Sequence, residues 1–314
     1  MLPRFRLILH QLPKPSFVLE AATMSTSSFT LAQSNCTVNL PSNLTEQQLL
    51  KFTAFKNWIS TLQHSLSLQA SKQHTFHASP YKLRKIDVQA VDYFGGERIG
   101  FIKLQAEISN DEGEKLPGAV FLRGGSVGML LILQPDDVPQ NTETDKHVLL
   151  TVQPRIAAGS LALTELPAGM LDDGTFSGTA AKEISEETGL QVPESELINM
   201  SELAMANATT TLPRLTSQQH NSQHGEIVVE KLQNAMYPSP GACDEFISLF
   251  LYQKRVPRSQ LDEWRGKLTG LREEGEKITI KLAKLEDLWK EGGQDAKALA
   301  ALALYDGLRK EEKI

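Results

Sequence analysis

Glu183, Glu186 and Glu187 stand at i, i+3 and i+4. In a helix this spacing stacks three carboxylates on one side, a turn apart, where each like-charged pair repels by roughly 0.2–0.5 kcal/mol if exposed. Hard divalent cations relieve that repulsion, because magnesium takes oxygen ligands and keeps places for water and phosphate oxygens. The plainer alternative is a solvated acidic helix face, which needs no ligand. The flanking residues supply the rest of a site. Leu166-Pro167 reads as a strand end and Ala168-Gly169 permits a sharp turn. Asp172 and Asp173 lie in the loop that follows, and Gly178-Thr179 reads as the start of a short helix. Gly189 suits the left-handed residue that stops such a helix.

Positioning this segment requires a folded frame, and the hydrophobic pattern outlines one. Thr45 can cap a helix with Gln48 as reciprocal partner. Apolar residues then recur at helical spacing from Leu49 to Leu62, so one helix is predicted to about Ser65. Lys85–Tyr93 and Arg98–Ile108 alternate as a hairpin joined by Gly95-Gly96. The charged turn Asn110–Lys115 is taken as the boundary of a front domain over 38–115, after a leader or disordered tail over 1–37.

Beyond the boundary, in a second domain over 116–314, Ala119–Leu122, Gly128–Leu133, His147–Val152, Leu161–Leu166, Phe246–Tyr252 and Glu276–Leu282 read as strands of a mostly buried sheet. Residues 207–236, rich in Thr, Ser, Gln and His at their start, read as a flexible insertion. Asp295–Arg309 reads as a packing helix. Strands alternating with helices imply an α/β or α+β core with a smaller domain in front.

Composition removes several functions. The 314 residues carry a formal net charge of −6, so no overall basic field invites nucleic acid. No apolar run is long enough to span a membrane. Cys36 and Cys243, the two cysteines, make no disulfide framework and read as free thiols. Met1–Ser34 carries Arg4, Arg6 and Lys14 against the single acid Glu20. This is the composition of a mitochondrial presequence, or of a tail ahead of a second start at Met24 in a cytoplasmic protein.

The segment Glu165–Leu190 resembles the Nudix box, G-x(5)-E-x(7)-R-E-U-x-E-E-x-G-U, where U is a bulky aliphatic residue. Gly169 matches the opening glycine, and Glu183, Ile184, Glu186, Glu187, Gly189 and Leu190 match the second half. Lys182 stands where the family has Arg, thirteen positions after Gly169 rather than fourteen, and Thr175 stands where the first Glu would fall. Further stretches, Val91–Phe101, Pro117–Phe121, Gln153-Pro154-Arg155, Ser239–Glu245 and Gly270–Glu276, resemble the ADP-sugar and ADP-ribose pyrophosphatase branch, plant-type ADP-glucose pyrophosphatases above all.

The resemblance implies an α+β fold, an α/β/α sandwich on a mixed sheet, preceded by a helix-plus-antiparallel-sheet domain exchanged within a homodimer. It implies magnesium, or manganese, held by Glu183, Glu187, Glu186 and the Ala168 carbonyl. Glu276 matches a general base, with a bare exposed carboxylate as its alternative, and Lys182 would brace the loop. Arg155 and Arg123 are candidate phosphate or adenine contacts, and Arg98 a contact reaching the partner's site; surface ion pairs are the alternative for Arg155 and Arg123. Glu245 is a candidate for metal or sugar hydroxyl, or a turn carboxylate. The implied reaction is hydrolysis of ADP-glucose or ADP-ribose to AMP and a sugar phosphate. The rival is a Nudix-fold protein that binds a nucleotide without cleaving it.

Overall fold

Thr45 caps the first helix through the reciprocal pair its spacing to Gln48 suggests, both side-chain bonds being present. The computed structural model describes residues 27–32, 34–171, 175–206, 230–270 and 277–314. Strands β1 (Ser27–Leu31) and β2 (Cys36–Leu40) precede helices α1 (Glu46–Lys51) and α2 (Thr53–Ser67). The single helix expected here is two. Phe52 adopts an extended backbone, ψ 116°, that ends α1 and starts α2. Strands β3 (Lys82–Tyr93) and β4 (Ile99–Ser109) form the hairpin, with Gly95 and Gly96 both left-handed in the turn. β5 (Lys115–Leu116) and β6 (Ala119–Leu122) complete this front sheet by pairing with β4. Leu49, Phe55 and Ile59 of the helices pack on Val38, Ile86, Ile102 and Leu104 of the sheet.

Three expectations change here. The segment 1–37 enters the sheet from Ser27 onward as β1 and β2. The sheet is mixed rather than wholly antiparallel, since β2 pairs with β3 in parallel. Ala119–Leu122 bonds to β4 instead of joining the second sheet. β4 had a free edge beyond the hairpin, and unpaired strand edges recruit neighbours.

A crossing this close needs a missing side chain at Gly118. Its carbonyl accepts the Ala106 N–H at 2.8 Å, and a Cβ there would lie 1.9 Å from the Ala106 carbonyl oxygen. Gly118→Ala is therefore expected to destabilise the fold by about 1–3 kcal/mol, read as a thermal midpoint several degrees lower. An unchanged midpoint would refute the close packing.

The second sheet contains β7 (Ser126–Pro135), β8 (His147–Arg155), β9 (Ser160–Glu165), β10 (Ala168–Met170), β11 (Ile198–Asn199), β12 (Ile247–Val256), β13 (Leu268–Thr269) and β14 (Ile278–Lys284). Its order is β11-β12-β7-β8-β14-β13, with β10 on β7 and β9 on β8. β7 is buried along its whole length, as a central strand covered on both faces must be. Alternate residues serve the two faces. Val127, Met129 and Leu131 meet α3 (Phe176–Thr188) and α5 (Arg258–Trp264). Leu130 and Ile132 meet α4 (Met200–Met205), α6 (Leu288–Glu291) and α7 (Ala296–Lys310). This is the α+β sandwich that was expected. At the end of the insertion read as flexible, Ala235 is buried and Met236 bridges to Ile247.

Candidate active site

The site forms where β10 meets α3. β10 is only three residues long and lies antiparallel on β7, with Ala168 opposite Gly128 and Gly169 opposite Val127. The Pro167 carbonyl accepts the Met129 N–H at 2.9 Å, and the Leu171 N–H donates to the Gly125 carbonyl at 2.9 Å. The strand is thus pinned at both ends. Helix α3 begins at Phe176, two residues before the expected start, because the Thr175 hydroxyl accepts the Gly178 N–H. Gly189, left-handed at φ 73°, stops it as expected. Ala180 and Ile184 bury one face of α3 in the core, and Glu187, a turn further on, lies on that same buried face.

Glu187 is 2% exposed. One carboxylate oxygen accepts the Ala168 N–H at 3.1 Å, and Gln153 approaches the other at 3.5 Å. Its carbonyl accepts the Thr269 hydroxyl. Glu183, half-buried, lies against the Gly169 backbone so closely that a Cβ there would sit 2.0 Å from its carboxyl carbon. Glu186 pairs with Lys182 at 3.8 Å, and the Lys182 side chain is 65% exposed. That pairing runs along the helix, and the loop residues 172–174 that Lys182 was expected to brace lie outside the described residues.

The donor set suits a divalent cation by its chemistry: half-buried and buried carboxylates are hard oxygen donors, and the glycine leaves a cradle for one of them. Among the described residues no three carboxylate, histidine or cysteine side chains converge tightly enough to close a metal cluster. Asp172, Asp173 and Glu276 lie outside the described residues.

Arg155 is committed to Glu165, 2.6 Å away. Glu165 also accepts from Lys297 at 3.0 Å, and Lys297 reaches Asp295 at 3.0 Å. Burial opposes the charge of Lys297, but Asp295 and Glu165 together outweigh it and hold the ammonium above its ordinary pKa. Arg123 pairs with Glu245 at 3.2 Å, and the Ser126 hydroxyl donates to the same carboxylate oxygen. Asp244 accepts the N–H groups of Arg123 and Gly124, and burial raises its pKa despite those bonds.

Arg123 and Arg98 line one cavity of 480 Å³ between the two sheets, with Lys51, Phe94, Met170 and Phe246 among its walls. Arg98, expected to reach a partner's site, here faces the cavity of its own chain, its guanidinium 5.9 Å from the Phe94 ring. Because Met170 and Leu171 follow Gly169 directly, the cavity and the glutamates adjoin. Both cysteines are free. Burial pushes the Cys36 thiol up to about 11 and raises that of Cys243, so neither is poised as a nucleophile.

A profile of the NUDIX domain matches residues 137–302. "Nudix hydrolase 14, chloroplastic" from Arabidopsis thaliana is 34% identical over 306 residues, covering 92% of this chain and 85% of that protein. The chain belongs to the Nudix family. A solved structure described as an ADP compounds hydrolase is also similar, at 14% identity and a TM-score of 0.38, over 74% of this chain and 99% of that one.

Within the Nudix box the two departures have local accounts. Thr175, at the place of the first Glu, serves as helix cap, and Lys182 is an exposed partner of Glu186. Sequence reasoning passed over Lys297, Asp295, Asp244 and Lys51 as site residues. Asp295 alone carried a local signal, as the capping acid before an Ala- and Leu-rich helix, and it does accept the Lys297 N–H.

Proposed function

We propose that this chain hydrolyses the pyrophosphate bond of ADP-sugars, ADP-glucose or ADP-ribose, in a magnesium-dependent reaction that manganese also supports. The observation carrying this reading is the seating of Glu183 and Glu187 along the β10 backbone at Ala168 and Gly169. Glu183 and Glu187, with Glu186 beside them and the Ala168 carbonyl, would hold the ion. A bound ion of this kind neutralises a diphosphate and lowers the pKa of a coordinated water. Arg98 and Arg123 bind and orient the substrate's phosphates in the adjoining cavity, whose 480 Å³ falls in the usual range for small-ligand sites. Its aromatic walls, Phe94 and Phe246, suit a purine face. Glu276 is the general base of this proposal, and Glu245 positions Arg123.

A second reading, a nucleotide-binding protein with weak turnover, draws on Glu187 being already engaged by protein donors. A panel of ADP-glucose, ADP-ribose, NADH and GDP-mannose separates the two. The expected result is magnesium-dependent release of AMP from the ADP-sugars, abolished by EDTA. Tight binding without AMP release would favour the second reading, and neither binding nor release would end both.

A homodimer belongs to the same proposal. The exposed apolar tip between β8 and β9, with Ile156 75% and Leu161 77% exposed, offers surface for a second copy. The relative's chloroplastic name and the basic, acid-poor Met1–Ser34 support import into an organelle.

A further inference from the structure

We infer that Lys297 is a positioning residue for the metal-side strand, acting by charge balance from the opposite face of the sheet; the inference rests on the metal-dependent reading above. The lysine belongs to α7, which packs against the face remote from α3. Its stem runs past Gly128, where a Cβ would come within 3.3 Å of its Cδ. Gly128 is the residue that faces Ala168 across the β7–β10 pair.

At its far end the ammonium lies 3.0 Å from both Glu165 and Asp295, whose side chains are 4% and 5% exposed. Asp295 in turn accepts the Leu166 N–H at 2.8 Å. Two residues on, the Ala168 N–H donates to Glu187. Two hydrogen bonds, joined by the short backbone stretch Leu166–Ala168, therefore connect the C-terminal helix to the candidate metal carboxylate.

Two buried carboxylates side by side repel strongly without a cation between them. Lys297 supplies that cation, and with Arg155 it leaves the four-membered group neutral. Removing it would drive Glu165 and Asp295 apart, release the Leu166 N–H, and shift Ala168 away from Glu187. The ion pairs described for the lysine go to Glu165 and Asp295, neither of them a candidate metal ligand.

The test compares Lys297→Met, which keeps the stem, with the charge-balanced double variant Glu165→Gln/Lys297→Met. Calorimetric titration of each full-length protein with magnesium alone should show roughly tenfold weaker binding in the single variant. Affinity within about threefold of wild type should return in the double. Hydrogen exchange at the Leu166 and Ala168 amides, measured without metal, should rise in the single variant and fall back in the double.

Wild-type affinity and exchange in Lys297→Met would overturn the inference. So would equal losses in both variants, which would mean that the stem's packing matters and its charge does not. If the single variant does not fold, the double stands in its place: near-wild-type magnesium binding supports the inference, and a tenfold loss overturns it. Wild type that binds no magnesium brings down the functional reading and this inference together. Wild type that binds it while Lys297→Met is unaffected brings down this inference alone.

Discussion

Glu187→Gln is expected to lower metal-dependent hydrolysis roughly 10²–10³-fold, a loss of ~3–4 kcal/mol of transition-state stabilisation. The substitution keeps the side-chain shape and removes only the charge. Its amide oxygen can still accept the Ala168 N–H, now made at 3.1 Å. Gln153, 3.5 Å from the other oxygen, can turn its own amide to accept from the new NH₂. The fold should therefore survive with a thermal midpoint close to wild type, while the buried negative charge that would hold a divalent ion is gone. Steady-state rates and a melting curve on the same preparation check both halves. A rate equal to wild type would mean that Glu187 is a structural carboxylate and that the metal sits elsewhere.

The second large effect comes from an added methyl group. Gly169→Ala would place a carbon 2.0 Å from the Glu183 carboxyl carbon. Something must move, and the softest element is the end of a flexible side chain rather than backbone. Glu183 should swing out of its cradle and β10 should keep its register on β7. Since misplacing a reacting group by about 1 Å can cost roughly 10²-fold in rate, activity should fall by that order. Stability should change by less than about 1.5 kcal/mol. Gly118→Ala has the opposite signature, because its obstacle is the Ala106 carbonyl oxygen of the backbone. There the folded fraction falls while the enzyme that remains folded works normally. Measuring melting and rate for both variants distinguishes a glycine kept for the site from one kept for the sheet. Full activity in Gly169→Ala would show that Glu183 does not act from the position beside β10.

The legible part of this protein lies in short-range spacing. Glu183, Glu186 and Glu187 share a helix because residues three and four apart must neighbour one another. Thr45 with Gln48, and Gly189 at φ 73°, mark helix ends through bonds made within a few residues. The strands β7, β8 and β12 could be read from their largely apolar runs, since burial on both faces leaves little room for alternation, and β14 from its alternation of apolar and polar residues.

Long-range contacts account for the rest. Ala119–Leu122 looks like any buried strand, and only the free edge of β4 assigns it to the front sheet. Spacing treats the three glutamates alike, yet packing of Ile184 into the core sends Glu187 beneath Ala168 and leaves Glu186 to Lys182. Arg98 and Arg123 are separated along the chain by the strands β4, β5 and β6, and they share a cavity because the two sheets meet there. Lys297 reads as an ordinary surface lysine of an Ala-rich helix until the fold delivers Glu165 and Asp295 to its ammonium. Local propensity records only what a residue shares with its near neighbours. Which edge is left open, and which charge is withdrawn from water, depends on chain segments brought together from far away.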